Sequence, residues 1–396
     1  MEAVRTLFLT HAAQFGGAEL SLLDILERLD RSRVSPVFAS MSDGPLVGAV
    51  SVLGIPATVI ETPAELLNAK RSDFGLSAGA IVRTANRFFT SQPVITRIAQ
   101  IIKSENIDIA YTNSSKAHVL GGYAGRRAGV PVIWHYRDYN ASSLQRRFFA
   151  RLSNKAANVV VCNSSFTATQ FKGHRDARVV LNGLPVESVR PSRAAADVRA
   201  ELGLTAGNLV AGTAGRLENW KGLTTFLRAA AISAAEFPEA RFVIAGGPIY
   251  GDEAFADELK TLAEMLGISD KIIFTGFRKD IYDIINIYNV FVHPSAQPEP
   301  FGRGIVEAML LGKPVVVSAR GGPEEIVVGG GTGLFFIPKD EKQLAALIAT
   351  LFRDPERAET FGKNGRRRAE SKFSINRVVE EIEKIIVNSA NLYKTK

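Results

Sequence analysis

The feature that most constrains this chain is a rhythm that runs, breaks and starts again. Short runs rich in β-branched and aromatic residues occur at 4–10, 34–40, 57–60, 109–113, 132–135, 159–163 and 178–181. Between them lie segments of 3.6-residue periodicity, such as 18–29, where Leu20, Leu23, Ile25, Leu26 and Leu29 form an apolar stripe. Strands separated by amphipathic helices imply parallel βαβ units, because a parallel pair needs a crossover long enough to hold a helix. The rhythm then resumes, with strand candidates at 209–214, 241–246, 272–275, 290–293, 315–318 and 333–337. The pattern predicts an α/β chain of two doubly wound, Rossmann-like domains in tandem.

The joint follows Leu181-Asn182-Gly183-Leu184-Pro185, which ends a strand with turn residues. The first domain is therefore read as 1–187, the second as 188–373, and 374–396 as a terminal segment. Within that segment 375–387 is an amphipathic helix, and the tail 388–396 is expected to fray. A length of 396 residues with 46% hydrophobic content suits two domain-sized cores. No run approaches the ~18 consecutive apolar residues of a membrane span. The N-terminal apolar run is too short for a secretory signal, and the one cysteine, Cys162, sits in a buried-strand pattern. These features predict a cytoplasmic, reducing setting.

The net charge of +8 is unevenly spread. Residues 1–187 hold 21 Lys and Arg against 14 Asp and Glu, whereas 188–396 hold 27 against 26. A basic first domain attracts phosphates or anionic lipid. Neither a Cys/His zinc spacing nor an RNA-recognition aromatic motif is present, so nucleic acid is not an expected partner. In 62–104, Lys70, Arg71, Arg83, Arg87, Arg97 and Lys103 interleave with Phe74, Phe88 and Phe89. A solvated helix pair is the plain reading. Peripheral contact with an anionic membrane, at the inner face, is the sharper one.

Four segments carry chemistry. The first runs from Glu299 to Glu307, EPFGRGIVE, after the 290–293 strand. A helix is predicted to start near Gly302 or Arg303 and stop at Gly312, with Pro314 beyond. Its free N–H groups near Phe301–Gly304 would face an anion at the carboxyl edge of the sheet, flanked by two carboxylates. Carboxylates accept hydrogen bonds from hydroxyls and helix N–H groups hold phosphate, so the segment suits a polyhydroxylated ligand bearing a diphosphate. The second is GRLENWKG, Gly215 to Gly222, at a strand-to-helix crossing. There Arg216 and Lys221 can clamp a diphosphate, although two exposed cations on a loop would look the same. The third is Gly16-Gly17 ahead of a helix, where backbone can approach a ligand closely; a plain turn fits as well. The fourth is His135, at the end of a buried strand, as a cleft residue or as a structural histidine. No Asp-X-Asp pair occurs, so cations and helix ends are expected to take the place of a metal, and no cofactor is expected.

Together these segments resemble family 4 of the GT-B glycosyltransferases, a retaining group. The resemblance runs through Gly16-Gly17-Ala18-Glu19, Asn182-Gly183, Gly215-Arg216-Leu217, Lys221-Gly222, Ala245-Gly246-Gly247-Pro248, Phe274-Thr275-Gly276-Phe277, His293-Pro294-Ser295 and Glu307-Ala308-Met309. It closes on Gly321-Gly322-Pro323-Glu324 and covers nearly the whole chain. It implies two domains facing a central cleft, the first binding acceptor and the second a nucleotide sugar, with the last helix crossing back to the first domain. It implies that Arg216 and Lys221 bind the donor diphosphate, Glu307 the ribose and Glu299 the hydroxyls of the transferred sugar. The backbone at Phe301, Gly302 and Arg303 would hold sugar and phosphate. Gly16 and Gly17 would approach the donor, His135 would contact the sugar or assist catalysis, and the base would lie near Gly276 and Phe277. Arg303 departs from the aliphatic residue of many members, as a contact for a charged acceptor or a cap on the rim.

The reaction so implied moves a sugar from a UDP- or GDP-linked donor to a hydroxyl of a glycan or lipid-linked acceptor, in polysaccharide or glycoconjugate synthesis. Rival readings are a non-catalytic nucleotide-sugar-binding subunit and a nucleotide-sugar epimerase. A phosphorylase lacks its cofactor lysine motif here, and a dehydrogenase lacks its ribose-binding fingerprint.

Overall fold

The computed structural model describes residues 2–68, 78–140, 142–248 and 253–394, with backbone alone over 78–89. It comprises two compact units, 1–183 with 375–396, and 184–374. Each is built on one parallel sheet.

In the first unit the strands are β1 Val4–Thr10, β2 Val34–Ser40, β3 Ala57–Val59, β4 Ile109–Thr112, β5 Val132–Tyr136, β6 Val159–Cys162 and β7 Ala177–Val179. Their order across the sheet is 3-2-1-4-5-6-7. The central strands β4, β5 and β6 are buried along their whole length. That burial on both faces explains why they read as continuous apolar runs rather than alternating ones. One face packs Leu7, Trp134 and Val160 against the helices Ala78–Ser104, Ser115–Ala128 and Ser143–Ala156. The other packs Phe8, Ile133 and Val161 against the helices Gly17–Arg28 and Ile375–Lys394. Cys162 is fully buried in β6, and burial pushes its thiol up to about 12.

Two expectations change here. The helix Gly17–Arg28 buries Leu22, Ile25 and Leu26 and leaves Leu20 at the surface, so the stripe is rotated from the one read in sequence. The tail does not fray at 388. The last helix runs Ile375–Lys394, buries Ser389 and Ala390, and places Lys394 2.7 Å from the Asp108 carboxylate. Tertiary packing of its apolar face stabilises turns that local propensity leaves marginal. In the 62–104 region, Lys70, Arg71 and Phe74, and the side chains of Arg83, Arg87, Phe88 and Phe89, lie outside the described residues. Beyond them Val94, Ile95, Ile98 and Ile102 are core.

The second unit has β8 Val210–Ala214, β9 Arg241–Ala245, β10 Ile272–Gly276, β11 Val290–His293, β12 Val315–Ser318 and β13 Gly333–Phe336, in the order 10-9-8-11-12-13. Both sheets are thus doubly wound, with the strand order reversing at the first strand of each. The chain enters and leaves the second unit side by side: Leu184 N–H donates to the Phe373 carbonyl at 2.8 Å.

Candidate active site

In a doubly wound sheet the loops leaving the two strands at the reversal run to opposite faces, opening a crevice at the carboxyl edge. In the second unit those strands are β8 and β11. Their loops carry residues 215–222 and 294–302, the two segments singled out by motif. Gly222 lets them touch. Its φ of +72° suits glycine, and a Cβ there would fall 1.9 Å from the Pro294 carbonyl oxygen. Ala296 N–H donates across to the Trp220 carbonyl at 2.9 Å.

The contact brings Lys221 Nζ to 2.7 Å from Glu299 Oε2. His293 Nε2 lies 3.1 Å from the same oxygen and the Ser295 hydroxyl donates to it at 3.3 Å. Burial opposes charge on Glu299, but the Lys221 ammonium and the His293 hydrogen bond outweigh it and hold the carboxyl far below its usual range. Burial lowers His293 against the pull of Glu299, so a neutral imidazole faces the carboxylate. These three bonds converge on Oε2, while Oε1 makes no hydrogen bond among the described residues.

Arg216 stands beside this pair, half-exposed, its guanidinium 3.2 Å from Glu218. Glu218 also accepts from the Trp220 indole N–H at 2.9 Å, and the Lys221 ammonium lies 4.1 Å from the Trp220 ring centroid. Two cations are therefore positioned by one carboxylate and one aromatic face. A cavity next to them is lined by Thr213, Gly215, Arg216, Lys221, Ala245 and His293.

The helix after the loop runs Arg303–Leu310. Gly302 caps it at φ +106°, a conformation that favours glycine, with no side-chain hydrogen bond to the first turn. Phe301 is buried with its ring against Phe373 at 5.9 Å between centroids, so only its backbone serves the crevice. Arg303 Nε donates to Glu307 Oε1 at 3.0 Å, one turn on, and both side chains are largely buried. The structure thus places Arg303 on Glu307. Gly276 ends β10 at φ +66°, and its carbonyl accepts from Gly246 N–H at 2.9 Å. Phe277 follows with 77% of its surface exposed.

In the first unit the order reverses at β1, between β2 and β4. Gly16 and Gly17 open the helix after β1 there. Asn113, just past β4, donates to the Ala18 carbonyl at 3.1 Å and accepts from Arg137 Nε at 2.9 Å. Arg137, just past β5, also donates to Asn182 Oδ1 and, at 3.2 Å, meets His135 Nδ1. The Tyr111 hydroxyl meets the same ring nitrogen. Arginine cannot accept, so Nδ1 is the acceptor and the hydrogen sits on Nε2. His135 is fully buried, its pKa driven well below the usual value by burial and then by Arg137 and His118. It is a neutral ring whose Nε2 meets no hydrogen-bond partner among the described residues.

Asn113, Tyr111 and Arg137, which with Asn182 of the joint tie the glycine loop to His135, were not picked out by sequence. The available signal was position: Asn113 and Arg137 each stand one residue past a strand. His293, marked in sequence only as part of the His293-Pro294-Ser295 motif, orients Glu299. Among the described residues no three His, Cys, Asp or Glu side chains gather in a metal-holding group.

Fold and site together define a two-domain, doubly wound protein whose second unit gathers Arg216, Lys221 and a helix start at one sheet edge. The pattern described as Glycosyl transferases group 1 matches residues 195–368, and that of Glycosyltransferase Family 4 matches 15–188. The chain belongs to this family 4 of the GT-B glycosyltransferases. Among curated relatives, spore coat protein SA of Bacillus subtilis (strain 168) is 32% identical over 215 residues, 52% of this chain and 57% of the relative. The lipopolysaccharide core biosynthesis mannosyltransferase LpcC of Rhizobium leguminosarum bv. viciae is 33% identical over 204 residues, again 52% and 57%. These matches thus span little more than half the length of the relatives. Anabaena Alr3699/HepE, solved in complex with UDP and glucose, is 29% identical, with a TM-score of 0.82 over 97% of this chain and 99% of that one.

Proposed function

We propose that the protein transfers a sugar from a nucleotide diphosphate donor, UDP-linked in the first instance, to a hydroxyl of a glycan or lipid-linked acceptor, with retention and without a metal. The observation that carries this is the Lys221–Glu299 contact at the β8/β11 crevice, beside Arg216 and the uncapped helix start at Gly302. It pairs diphosphate-binding cations with a charged hydroxyl acceptor in one place. The resemblance to Alr3699/HepE, solved with UDP-glucose, supports the choice of donor.

In this reading Arg216, Lys221 and the first-turn N–H groups take up the charge that grows on the departing diphosphate. Glu299 Oε1 accepts from hydroxyls of the transferred sugar. Glu307 turns from Arg303 to the ribose, and the exposed Phe277 ring and Gly276 backbone receive the base. The acceptor oxygen bonds to the anomeric carbon as the bond from that carbon to the phosphate oxygen breaks. The acceptor's proton passes to the leaving phosphate on the same face, which keeps the configuration. His135, neutral with its hydrogen on Nε2, serves as a hydrogen-bond donor rather than a base.

The test is a thermal-shift screen with UDP-, GDP-, ADP- and dTDP-sugars in chelator. A ligand at 100 times its dissociation constant adds about 2.7 kcal/mol of stability. A shift with UDP-sugars, lost in Arg216→Ala, is expected. No shift with any nucleotide sugar would sink the reading.

A further inference from the structure

The basic excess of the first unit has an address. Between Asp108 and Asp176 the chain holds ten Lys and Arg against one acid, Asp138, which exceeds the net charge of the whole protein, +8. At the surface the excess is concentrated on the helix Ser143–Ala156, which contains no acidic residue. Arg147, Arg151 and Lys155 recur every fourth residue, are exposed, and pair with no carboxylate among the described residues. Arg126 of the neighbouring helix extends the patch by donating to the Lys155 carbonyl at 2.8 Å.

Two large apolar side chains share this face: Leu144 is 65% exposed and Phe148 50%. At 100° per residue, Leu144, Phe148, Arg151 and Lys155 fall within about 60° of one another, with Arg147 adjoining. Leu152 and Ala156, on the flank of this face, are buried in the core. The face therefore combines exposed hydrocarbon with unopposed positive charge. A polyanion in water would use the arginines and leave Leu144 and Phe148 hydrated. A bilayer surface uses both, because lipid headgroups meet the cations while the apolar side chains enter the acyl boundary. The helix follows β5, so its first turn, with Leu144, lies at the carboxyl edge of the sheet, alongside Arg137 and the Gly16–Gly17 loop.

We propose that the Ser143–Ala156 helix is a docking face for an anionic membrane, with Leu144 and Phe148 inserting and Arg147, Arg151 and Lys155 binding lipid phosphates. It gives the membrane contact expected of the basic first domain a specific helix, beside the 62–104 region read in sequence. It stands whether or not the protein transfers a sugar.

The experiment is flotation of the full-length protein with vesicles of phosphatidylcholine alone and of phosphatidylcholine mixed with phosphatidylglycerol, at low and high salt. Binding is expected to the mixed vesicles at low salt and not to the neutral ones. Changing Arg147, Arg151 and Lys155 together to Gln should lower partitioning about 100-fold, at roughly one part in five per charge. Changing Leu144 and Phe148 together to Ser should lower it at least about 10-fold. All these positions are exposed, and a melting curve for each variant verifies folding. A Leu144→Trp variant should show blue-shifted emission on the mixed vesicles, which reads insertion directly. Absence of low-salt binding, wild-type partitioning in both variants, or unshifted emission from bound Leu144→Trp would each overturn the proposal. Loss of binding in the Gln variant alone, with the Ser pair unaffected, would overturn it in favour of a soluble polyanion.

Discussion

The carboxyl edges of the two sheets share a topology and differ in chemistry. In the second unit the edge is organised by opposite charges, Lys221 against Glu299 and Arg216 against Glu218, with His293 and Ser295 as neutral supports. In the first unit, among the described residues, the buried cation Arg137 donates to Asn113 and Asn182 and meets His135. The first arrangement suits a strongly charged ligand that can displace or complement ion pairs. The second suits a fixed, polar wall whose geometry must not move. One winding rule therefore makes two crevices, and the side chains after the strands decide which kind each becomes.

The sharpest way to break the contrast is at Lys221. Lys221→Ala leaves Glu299 charged and buried without its cation, and should cost about 3–5 kcal/mol. Chemical denaturation reads this, and a Lys221→Met, Glu299→Gln double variant should recover most of it. If Lys221→Ala is neutral, the pair is not what organises that edge. Next comes Arg137→Ala, which strands the Asn113 and Asn182 side-chain oxygens and should cost about 2–4 kcal/mol. If the first unit is a rigid wall, this variant also alters the His135 imidazole nitrogen shifts in NMR, because Nδ1 loses a donor. Unchanged shifts would mean that Arg137 does not set the ring.

Acid should destabilise both edges below the ordinary histidine range, and the second edge again in the carboxylate range. The folded pKa of His135 and of His293 lies below the ordinary 6.5, so the unfolded chain binds more protons and stability falls as pH drops below that value. Glu299 is also depressed, so its contribution is present above the ordinary 4.5 and is lost only as pH falls through its lower folded value. In melting-temperature profiles, His135→Gln and His293→Gln should each remove the share of the decline between neutrality and pH 5 that belongs to its own ring. Identical profiles in wild type and both variants would show that neither ring is held neutral. The smallest effect is expected at Arg303→Ala. Both side chains of this one-turn pair are largely buried, so its loss should cost about 1–3 kcal/mol, less than at the two networks above, and need not weaken donor binding. Freed Glu307 should instead tighten the donor-induced thermal shift, and a weakened shift would assign Arg303 to the ligand.

Much of this was legible along the chain. The strand runs 4–10, 34–40, 290–293 and 315–318 coincide with β1, β2, β11 and β12, because parallel-sheet cores demand uninterrupted apolar residues. Gly222 and Gly302 lay within the two motif segments, and their positive φ shows why glycine is favoured there. Less legible was the helical tail, since an amphipathic segment frays or persists according to what packs against it. The Leu20 and Leu22 exchange has the same origin: periodicity gives a stripe, and the neighbouring elements choose its centre.

By itself the sequence determined the alternation of strands and helices, the two windings, and the glycines at which loops could close. Those are local properties, governed by side-chain period and backbone sterics within a few residues. Only the tertiary structure decided that Lys221 meets Glu299 across 78 positions, and that Arg137 reaches Asn182 across 45. Such pairings depend on strand order, and strand order is settled by how whole hydrophobic faces are buried together.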